Sequence, residues 1–192
     1  MQDKLYSFVM KGELTKVSLD RTKTISKHKD ATISDEHLIK SLALEILDDD
    51  FVQRAKKMAV VYTAIAAFEN SVREFITKKL LEQKGENWWE ECVPQKIQQR
   101  SNSRREEELK TRCFTCRGDS MIDYVEFGDL ASIMHQNQEL FEDHIISIEW
   151  ARQIFQSIER SRNVIMHSGE LDLRDIERIG VNIRDWISQV GG

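Results

Sequence analysis

The chain has 192 residues, of which 40% are hydrophobic and 32% charged, with one proline and eight glycines. Its length suits one domain, and so few helix breakers among so many charges favour a helical fold. The net charge of −5 excludes a general basic coat protein for nucleic acid. Residues 1–33 and 95–117 nevertheless carry local balances of +3 and +4, and a polyanion should approach through them.

The sequence also predicts where the protein works. No apolar run approaches the ~20 residues that span a bilayer, the N-terminus lacks the apolar core of a signal peptide, and three cysteines do not make a disulfide framework. We therefore expect a soluble, cytoplasmic protein without a membrane partner. Cys113-x-x-Cys116 is half of a tetrahedral zinc site. Because no further ligands follow at a standard spacing, we expect free thiols, no metal and no cofactor.

Apolar periodicity predicts an N-terminal arm and then a series of helices. Residues 1–33 are polar and should form an irregular arm or a short strand, after which Ser34 is a suitable helix N-cap. Apolar residues within 51–82 recur at three- and four-residue steps, which predicts an amphipathic helix of about eight turns ending at Gly85. Its expected buried stripe comprises Phe51, Ala55, Met58, Tyr62, Ile65, Val72, Ile76 and Leu80.

Residues 95–120 interrupt this pattern with a basic, polar stretch. They predict an exposed helix or insertion, in which Arg104 and Arg105, followed by three glutamates, form a solvated face or contact a polyanion. Helical periodicity returns over residues 124–134, with Leu130 as a core candidate.

Two further helices complete the expected fold. One covers residues 146–167, with Gly169 as its C′ residue and His167 in its final turn. Asp172 should cap the last helix, whose expected buried face comprises Ile176, Ile179, Ile183, Ile187 and Val190. Residues 34–192 are thus expected to form one all-α bundle of five or six helices.

Two of the predicted helices each carry one charged residue on an otherwise apolar stripe. Glu69 interrupts the first stripe and Arg162 the second, and Arg73 lies one turn beyond Glu69. A buried charge is costly unless it is paired, so we expect the two helices to face each other and the charges to meet. Such a pair is either a structural ion pair that fixes the helix register or part of a functional site.

The residues that follow Arg162 favour a functional site. Asn163 and His167 are four residues apart and share a helix face, whereas Arg162 and His167 are about 140° apart on an ideal helix. Because the arginine side chain is long, we expect it to reach the same cavity as the imidazole. A titratable imidazole, a fixed guanidinium and an amide suit cleavage of an RNA phosphodiester by the neighbouring 2′-hydroxyl, which requires no metal.

This pattern resembles the R-N-x-x-x-H form of the ribonuclease motif of the HEPN superfamily, here Arg162-Asn163-x-x-x-His167. The resemblance extends over about residues 50–190 and is strongest in one branch, which is found in a transcription-associated nuclear endoribonuclease and in bacterial conflict systems. Its other elements are Phe68-Glu69-x-x-x-Arg73-x-x-Ile76, Trp88-Trp89 with Pro94, and Tyr124-x-x-Phe127-x-Asp129-Leu130.

The resemblance implies a homodimeric, metal-independent endoribonuclease that leaves 2′,3′-cyclic phosphate and 5′-hydroxyl ends. It places the protein in a toxin–antitoxin, phage-defence or RNA-processing system, with an antitoxin or another partner protein. In this interpretation His167 is the acid and base, Arg162 stabilises phosphate charge, Asn163 orients and Glu69 positions the arginines. Arg73, Arg104 and Arg105 would bind the RNA. The alternative is a non-catalytic HEPN module that binds RNA or a protein partner.

Overall fold

A computed structural model describes residues 34–111 and 115–191. The arm predicted for residues 1–33 lies outside the described residues. Those residues are predominantly helical and contain no strand, so the prediction of an all-α fold is confirmed. The chain divides into two compact units, residues 1–52 and 53–192.

The first unit contains a short helix, α1 (Asp35–Ser41), and a 3₁₀ turn over Leu44–Ile46. Ser34 is the N-cap of α1, as the sequence predicts, because its Oγ accepts a hydrogen bond from the backbone N–H of His37 at 3.2 Å. The side chains of Leu42 and Ile46 are exposed. Over residues 34–46, the local fold therefore rests on capping and backbone hydrogen bonds, since neither element contains a buried residue.

The second unit contains the bundle. Its helices are α2 (Asp49–Lys84, which begins before the unit boundary), α3 (Trp88–Cys92), α4 (Gln95–Lys110), α5 (Phe127–Gln136), α6 (Ile148–Met166) and α7 (Leu173–Val190). Short 3₁₀ turns over Gly85–Asn87, Met121–Tyr124 and Gln138–Leu140 connect them. The predicted end of the long helix is correct, because Gly85 has a φ of +65° that other residues rarely adopt.

The core of the bundle forms where α2, α5, α6 and α7 bring their apolar faces together. Trp186 of α7 is its aromatic centre, and its ring contacts those of Phe68, Phe75, Trp150 and Phe155. Two parts of the predicted stripes are wrong. Phe51, Ala55 and Tyr62 on α2 are exposed. Ile187 on α7 is also exposed, because the neighbouring Trp186 occupies the buried position.

Helix α4 lies within the stretch that the sequence predicts as an exposed helix or insertion. Most of its residues are exposed, but Ile97 and Ser101 are buried. None of the helices in residues 34–111 and 115–191 is long and apolar enough to cross a membrane.

Candidate functional site

Glu69 of α2 and Arg162 of α6 form the predicted ion pair. The Nη1 of Arg162 donates to both carboxylate oxygens of Glu69, at 2.9 Å and 3.2 Å. Glu69 is 8% exposed, and it lies between the buried residues Ile65 and Val72 on the same helix. The two charges meet because the apolar stripes on either side of them bury against the same core.

Arg73 supports this pair from the next turn of α2. Its Nη2 lies 3.8 Å from Glu69 Oε2, and its side chain is 12% exposed. Its Nη1 donates to the carbonyl oxygens of Ile122 and Val125, at 2.8 Å and 2.9 Å. Arg73 therefore ties α2 to the turn before α5 and fixes one side of the Glu69 carboxylate.

Burial dominates the titration of this cluster. It raises the pKa of the Glu69 carboxyl above 4.5, although the guanidinium groups of Arg162 and Arg73 act in the opposite direction. Burial also lowers the pKa of the Arg73 guanidinium below its usual value, against the attraction of Glu69. The Glu69 carboxylate thus lies between two cations, and its own burial and that of Arg73 oppose the charged forms of both groups.

A cavity of about 220 Å³ opens beside the ion pair. Helix α2 provides one wall, Arg162 of α6 a second, and the segment after α4 a third. The lining residues are Tyr62, Ile65, Ala66, Glu69, Asn70, Arg73, Arg117, Asp123 and Arg162. Three guanidinium groups and two carboxylates give it a net positive charge at neutral pH.

The other two motif residues lie at the exposed end of α6. Asn163 is exposed on its last turn, and His167 is the C-cap with an exposed side chain. The turn that follows is a Schellman closure, in which Gly169 N–H donates to Val164 O at 2.8 Å and Ser168 N–H to Ile165 O at 2.9 Å. The backbone around His167 is therefore fixed, while its imidazole faces outward.

This turn corrects the sequence prediction for Gly169. The C′ residue is Ser168, which has a φ of +61°, and Gly169 is one position further along. Glycine is required there for space, because a Cβ atom on Gly169 would lie 2.9 Å from the carbonyl oxygen of Val164.

The prediction that Arg162 and His167 would reach one cavity within a single chain is also corrected. Neither Asn163 nor His167 lines the cavity that contains the guanidinium of Arg162. Because the two residues are five positions apart, they leave α6 in different directions. The arginine turns inward to Glu69, and the histidine lies beyond the last helical residue.

The remaining basic residues singled out in the sequence have partners within the fold. Arg104 Nη1 donates to the carbonyl oxygen of Tyr124 at 2.9 Å, and its Nη2 forms an ion pair with Glu126. Arg105 is exposed, with its Nη1 3.6 Å from the sulfur of Met121. The RNA-binding roles of Arg73, Arg104 and Arg105 stay predictions, but Arg73 and Arg104 also connect helices to the turn before α5.

Four polar residues of the cavity were not predicted from the sequence as part of a site: Tyr62, Asn70, Arg117 and Asp123. Tyr62 was assigned to the core, although its spacing of eight to Asn70 places both on the cavity face of α2. Arg117 and Asp123 lie in a loop and a 3₁₀ turn, where no periodicity indicates which way a side chain points.

The cysteines do not form a recognisable metal centre in the described part of the chain. Cys92 is buried and Cys116 half-buried, and Cys113 lies outside the described residues. Among residues 34–111 and 115–191, no group of three or more histidine, cysteine, aspartate or glutamate side chains could hold a metal ion.

An all-α bundle whose penultimate helix ends in Arg-Asn-x-x-x-His, with a glutamate of the long helix bound to that arginine, has the features expected of a HEPN protein. A family model described as Swt1-like HEPN matches residues 63–191, more than half of the chain. The chain therefore belongs to the Swt1-like HEPN family, and the predicted membership of the HEPN superfamily is confirmed. No curated protein and no solved structure matches it.

Proposed function

We propose that this protein is a metal-independent endoribonuclease. The observation that carries the proposal is the intact Arg162-Asn163-x-x-x-His167 motif at the exposed end of α6, with Arg162 held by the buried Glu69. A guanidinium in a fixed position and an imidazole that meets solvent are the two groups that RNA cleavage by the 2′-hydroxyl needs.

In the proposed reaction, the ribose 2′-oxygen attacks the adjacent phosphorus and the bond from phosphorus to the 5′-oxygen breaks. One His167 accepts the proton of the 2′-hydroxyl, and a protonated imidazole donates a proton to the leaving 5′-oxygen. Arg162 stabilises the charge that develops on the non-bridging oxygens, and Asn163 orients the phosphate or the imidazole. The products are a 2′,3′-cyclic phosphate and a 5′-hydroxyl.

The contacts of Arg162 leave it able to bind phosphate. Its hydrogen bonds to Glu69 both come from Nη1, and its Nη2 lies 3.8 Å from Glu159 Oε1, beyond hydrogen-bond distance. Within the described residues, Nη2 and Nε therefore remain available as donors. Its side chain is also 26% exposed, so a phosphate oxygen can approach without displacing Glu69.

We further propose a symmetric homodimer in which two motifs line one cleft. A single chain offers one exposed imidazole at the motif, whereas the reaction uses two proton transfers. Val164 and Met166 within the motif and Leu173 shortly after it expose apolar side chains, which a partner's surface could cover in a symmetric interface. Light scattering should give about twice the chain mass of 22.5 kDa. A monomer with full activity at nanomolar concentration would rule out the shared cleft.

One observation favours a second candidate, a non-catalytic HEPN module that binds RNA or a protein partner. His167 and the cavity around Arg162 are separate within the chain, so the cation and the imidazole need not act on one phosphate. In that case the wild-type protein would not cleave RNA. His167→Ala would leave its binding of RNA or of a protein partner unchanged.

The biological setting of the proposed activity is a toxin, phage-defence or RNA-processing system in the cytoplasm, with an antitoxin or other protein as the regulator. Arg105, which is exposed on the basic helix α4, is a suitable contact for the RNA backbone outside the cleft. An Arg105→Ala variant should therefore weaken RNA binding without changing the products.

The decisive experiment incubates the purified protein with total cellular RNA in EDTA and identifies the new ends. We expect cleavage with 2′,3′-cyclic phosphate and 5′-hydroxyl ends, because neither proposed group requires a metal. Products with 5′-phosphate ends would contradict the mechanism. An activity that appears only after Mg²⁺ is added would contradict the metal-independent part of the proposal.

A further inference from the structure

The cavity beside the Glu69–Arg162 pair is lined by side chains from three separate segments of the chain. It is smaller than the ~300–1,000 Å³ typical of pockets for drug-sized ligands but open to solvent, so it suits one unit of a polymer rather than a long stretch of chain. Its walls combine a long helix, a second helix and a turn that side chains hold in place.

Residues 115–125 are ordered by several hydrogen bonds, within the segment and to α2 and α4. The hydroxyl of Tyr124 donates to Gly118 O at 3.1 Å, and Ser120 and Asp123 form a capping box. Arg73 donates two hydrogen bonds to this segment. Arg117 is held from α4, because its backbone N–H donates to Glu108 Oε2 at 3.1 Å and its Nε pairs with the same carboxylate.

Several polar groups in the cavity have no partner within the described residues. The Nε of Arg117 is paired with Glu108, but its two Nη atoms make no hydrogen bond there, and about half of the side chain is exposed. The amide of Asn70 and the hydroxyl of Tyr62 also have no hydrogen-bond partner in residues 34–111 and 115–191, and both residues are exposed on α2. A cavity that presents free guanidinium, amide and aromatic groups together fits a nucleotide.

We propose that this cavity binds one nucleotide of RNA adjacent to the scissile phosphate. Arg117 and Arg162 bind its phosphate, and Asn70 and Tyr62 contact its base or ribose. The inference rests on the proposed endoribonuclease function for the identity of the ligand. Arg162 lines the cavity and also belongs to the motif, so it connects the subsite to the reacting phosphate. Asn70 is then a residue that determines which nucleotide is accepted.

The geometry also separates the subsite from the chemistry. His167 does not line the cavity, so binding in the cavity does not require a working imidazole. The subsite can therefore be measured in a His167→Ala protein, which should not cleave the probe. A fluorescently labelled single-stranded RNA of about 12 nucleotides and mixed sequence is a suitable probe, with fluorescence anisotropy as the readout.

In that background, Arg117→Ala should weaken RNA binding by about tenfold and lower the slope of log affinity against log salt by about 0.7, the value for one phosphate contact in a single strand. Asn70→Ala should weaken binding by about fivefold, as expected for one lost hydrogen bond, and leave the slope unchanged. The loop that contains residue 117 should keep its structure in Arg117→Ala, because the backbone N–H of that residue still donates to Glu108.

Arg178→Ala is the matched control. Arg178 is also exposed and paired with an acid, Asp175, at 3.1 Å, but it lies on α7 and does not line the cavity. Its removal changes the net charge by the same amount as that of Arg117. Equal losses of RNA affinity in the Arg117 and Arg178 variants would overturn the proposal, because they would reflect overall charge alone.

Two competitors distinguish an RNA phosphate from free phosphate and from a free nucleotide as the ligand of the cavity. Inorganic phosphate and a nucleoside 5′-monophosphate should each displace the RNA only weakly, at concentrations far above the RNA dissociation constant. A mononucleotide that binds as tightly as the RNA would identify a free-nucleotide site and overturn the RNA subsite. If wild-type protein does not cleave RNA but Arg117-dependent RNA binding persists, the proposed nuclease function fails and the subsite stands. If wild-type protein cleaves RNA but Arg117→Ala does not change RNA binding, the nuclease function stands and the subsite fails.

Discussion

The two ends of the segment from Arg162 to His167 lie in different surroundings. Arg162 is oriented by the buried carboxylate of Glu69 on another helix, through a hydrogen bond of 2.9 Å. The charged side chains of Arg73 and Glu159 lie close to this pair. His167 is held through its backbone, by a turn whose hydrogen bonds are as short as 2.8 Å, and its side chain is exposed. The arginine end is therefore held in position by the chain itself, whereas the imidazole of His167 is accessible to molecules that approach from solvent.

The difference indicates that the two ends have separate roles in the proposed site, namely charge stabilisation and proton transfer. A group that stabilises charge must be fixed in advance, because a mobile dipole or cation loses much of its effect. A group that transfers protons must instead reach the reacting atoms. In our proposal these atoms belong to the RNA, and a second motif supplies the other imidazole. The comparison therefore predicts that changes at the arginine end affect folding and activity, and that changes at the histidine end affect activity alone.

The largest effect is expected from His167→Ala. It should reduce RNA cleavage by about 10²- to 10⁴-fold, the usual contribution of general acid–base catalysis. Stability should change by no more than about 0.5 kcal/mol, because the imidazole is exposed. Cleavage of labelled RNA and urea unfolding measure the two properties.

His135→Ala provides the matched control for this variant. His135 is an exposed histidine in the last turn of α5 and belongs to no part of the proposed site. Its removal should leave cleavage unchanged. Full activity in a folded His167→Ala protein would remove the histidine from the mechanism.

Arg162→Ala should abolish cleavage to a similar extent and, unlike the histidine variant, should also destabilise the fold by about 1–3 kcal/mol. The reason is that Glu69 keeps its buried carboxylate but loses its closer cation. Activity and urea unfolding of the same preparation test both parts. A loss of activity with no loss of stability would show that the two ends of the segment do not differ as described.

Glu69→Ala should destabilise the protein by about 3 kcal/mol. This is the lower end of the range for a broken buried pair, because Arg162 keeps 26% of its side chain exposed. The control is Glu82→Ala on the same helix, whose partner Lys79 lies 3.9 Å away and whose loss should cost less than about 0.5 kcal/mol. Indistinguishable unfolding midpoints for the two variants would mean that the Glu69 pair adds nothing to stability.

Ser168→Gly should stabilise the protein by about 0.5–1 kcal/mol. Ser168 adopts a φ of +61°, which costs a residue with a Cβ atom more than it costs glycine. Cleavage should be unchanged, because the closure around His167 uses backbone groups alone. Thermal unfolding and RNA cleavage check the prediction, and lower stability would argue against the left-handed conformation at this position.

The smallest effect is a dependence of stability on pH. Because burial raises the pKa of Glu69, the folded protein retains a proton that the unfolded chain has already lost. The stability contributed by this group is therefore present below the unfolded pKa and is lost as the pH rises through the folded pKa. The free energy of unfolding of wild type, relative to Glu69→Gln, should fall as the pH is raised from about 4.5. A rise instead would mean that the guanidinium groups outweigh burial.

Much of the fold could be predicted because periodicity and capping are local signals. The ends of α2, the N-caps Ser34 and Asp172, and the stop at Gly85 follow from residue type and spacing. The errors arise where packing chooses between neighbouring positions. Trp186 is buried in place of Ile187 because a large ring fills the space among the aromatic side chains of α2 and α6.

The site was predictable to the extent that a charge on an apolar stripe demands a partner. That argument predicts the contact between Glu69 and Arg162, and the structure contains it. It does not extend to Arg117 or Asp123, which reach the cavity through a turn fixed by long-range hydrogen bonds. It also fails for His167, because helical geometry beyond the last turn no longer determines where a side chain points.

The indole pair in the core gives the bundle an optical property of its own. Trp150 of α6 and Trp186 of α7 stack with ring centroids 5.9 Å apart and planes 7° from parallel. Two chromophores fixed at a short distance couple electronically, which adds a pair of bands of opposite sign to the far-ultraviolet circular dichroism at the strong indole transition. Because each helix supplies one ring, the contribution of this pair should be lost when α7 leaves α6, whereas that of the adjacent Trp88 and Trp89 should remain. Detachment of the last helix can therefore be followed in unlabelled protein, in every variant that keeps both rings.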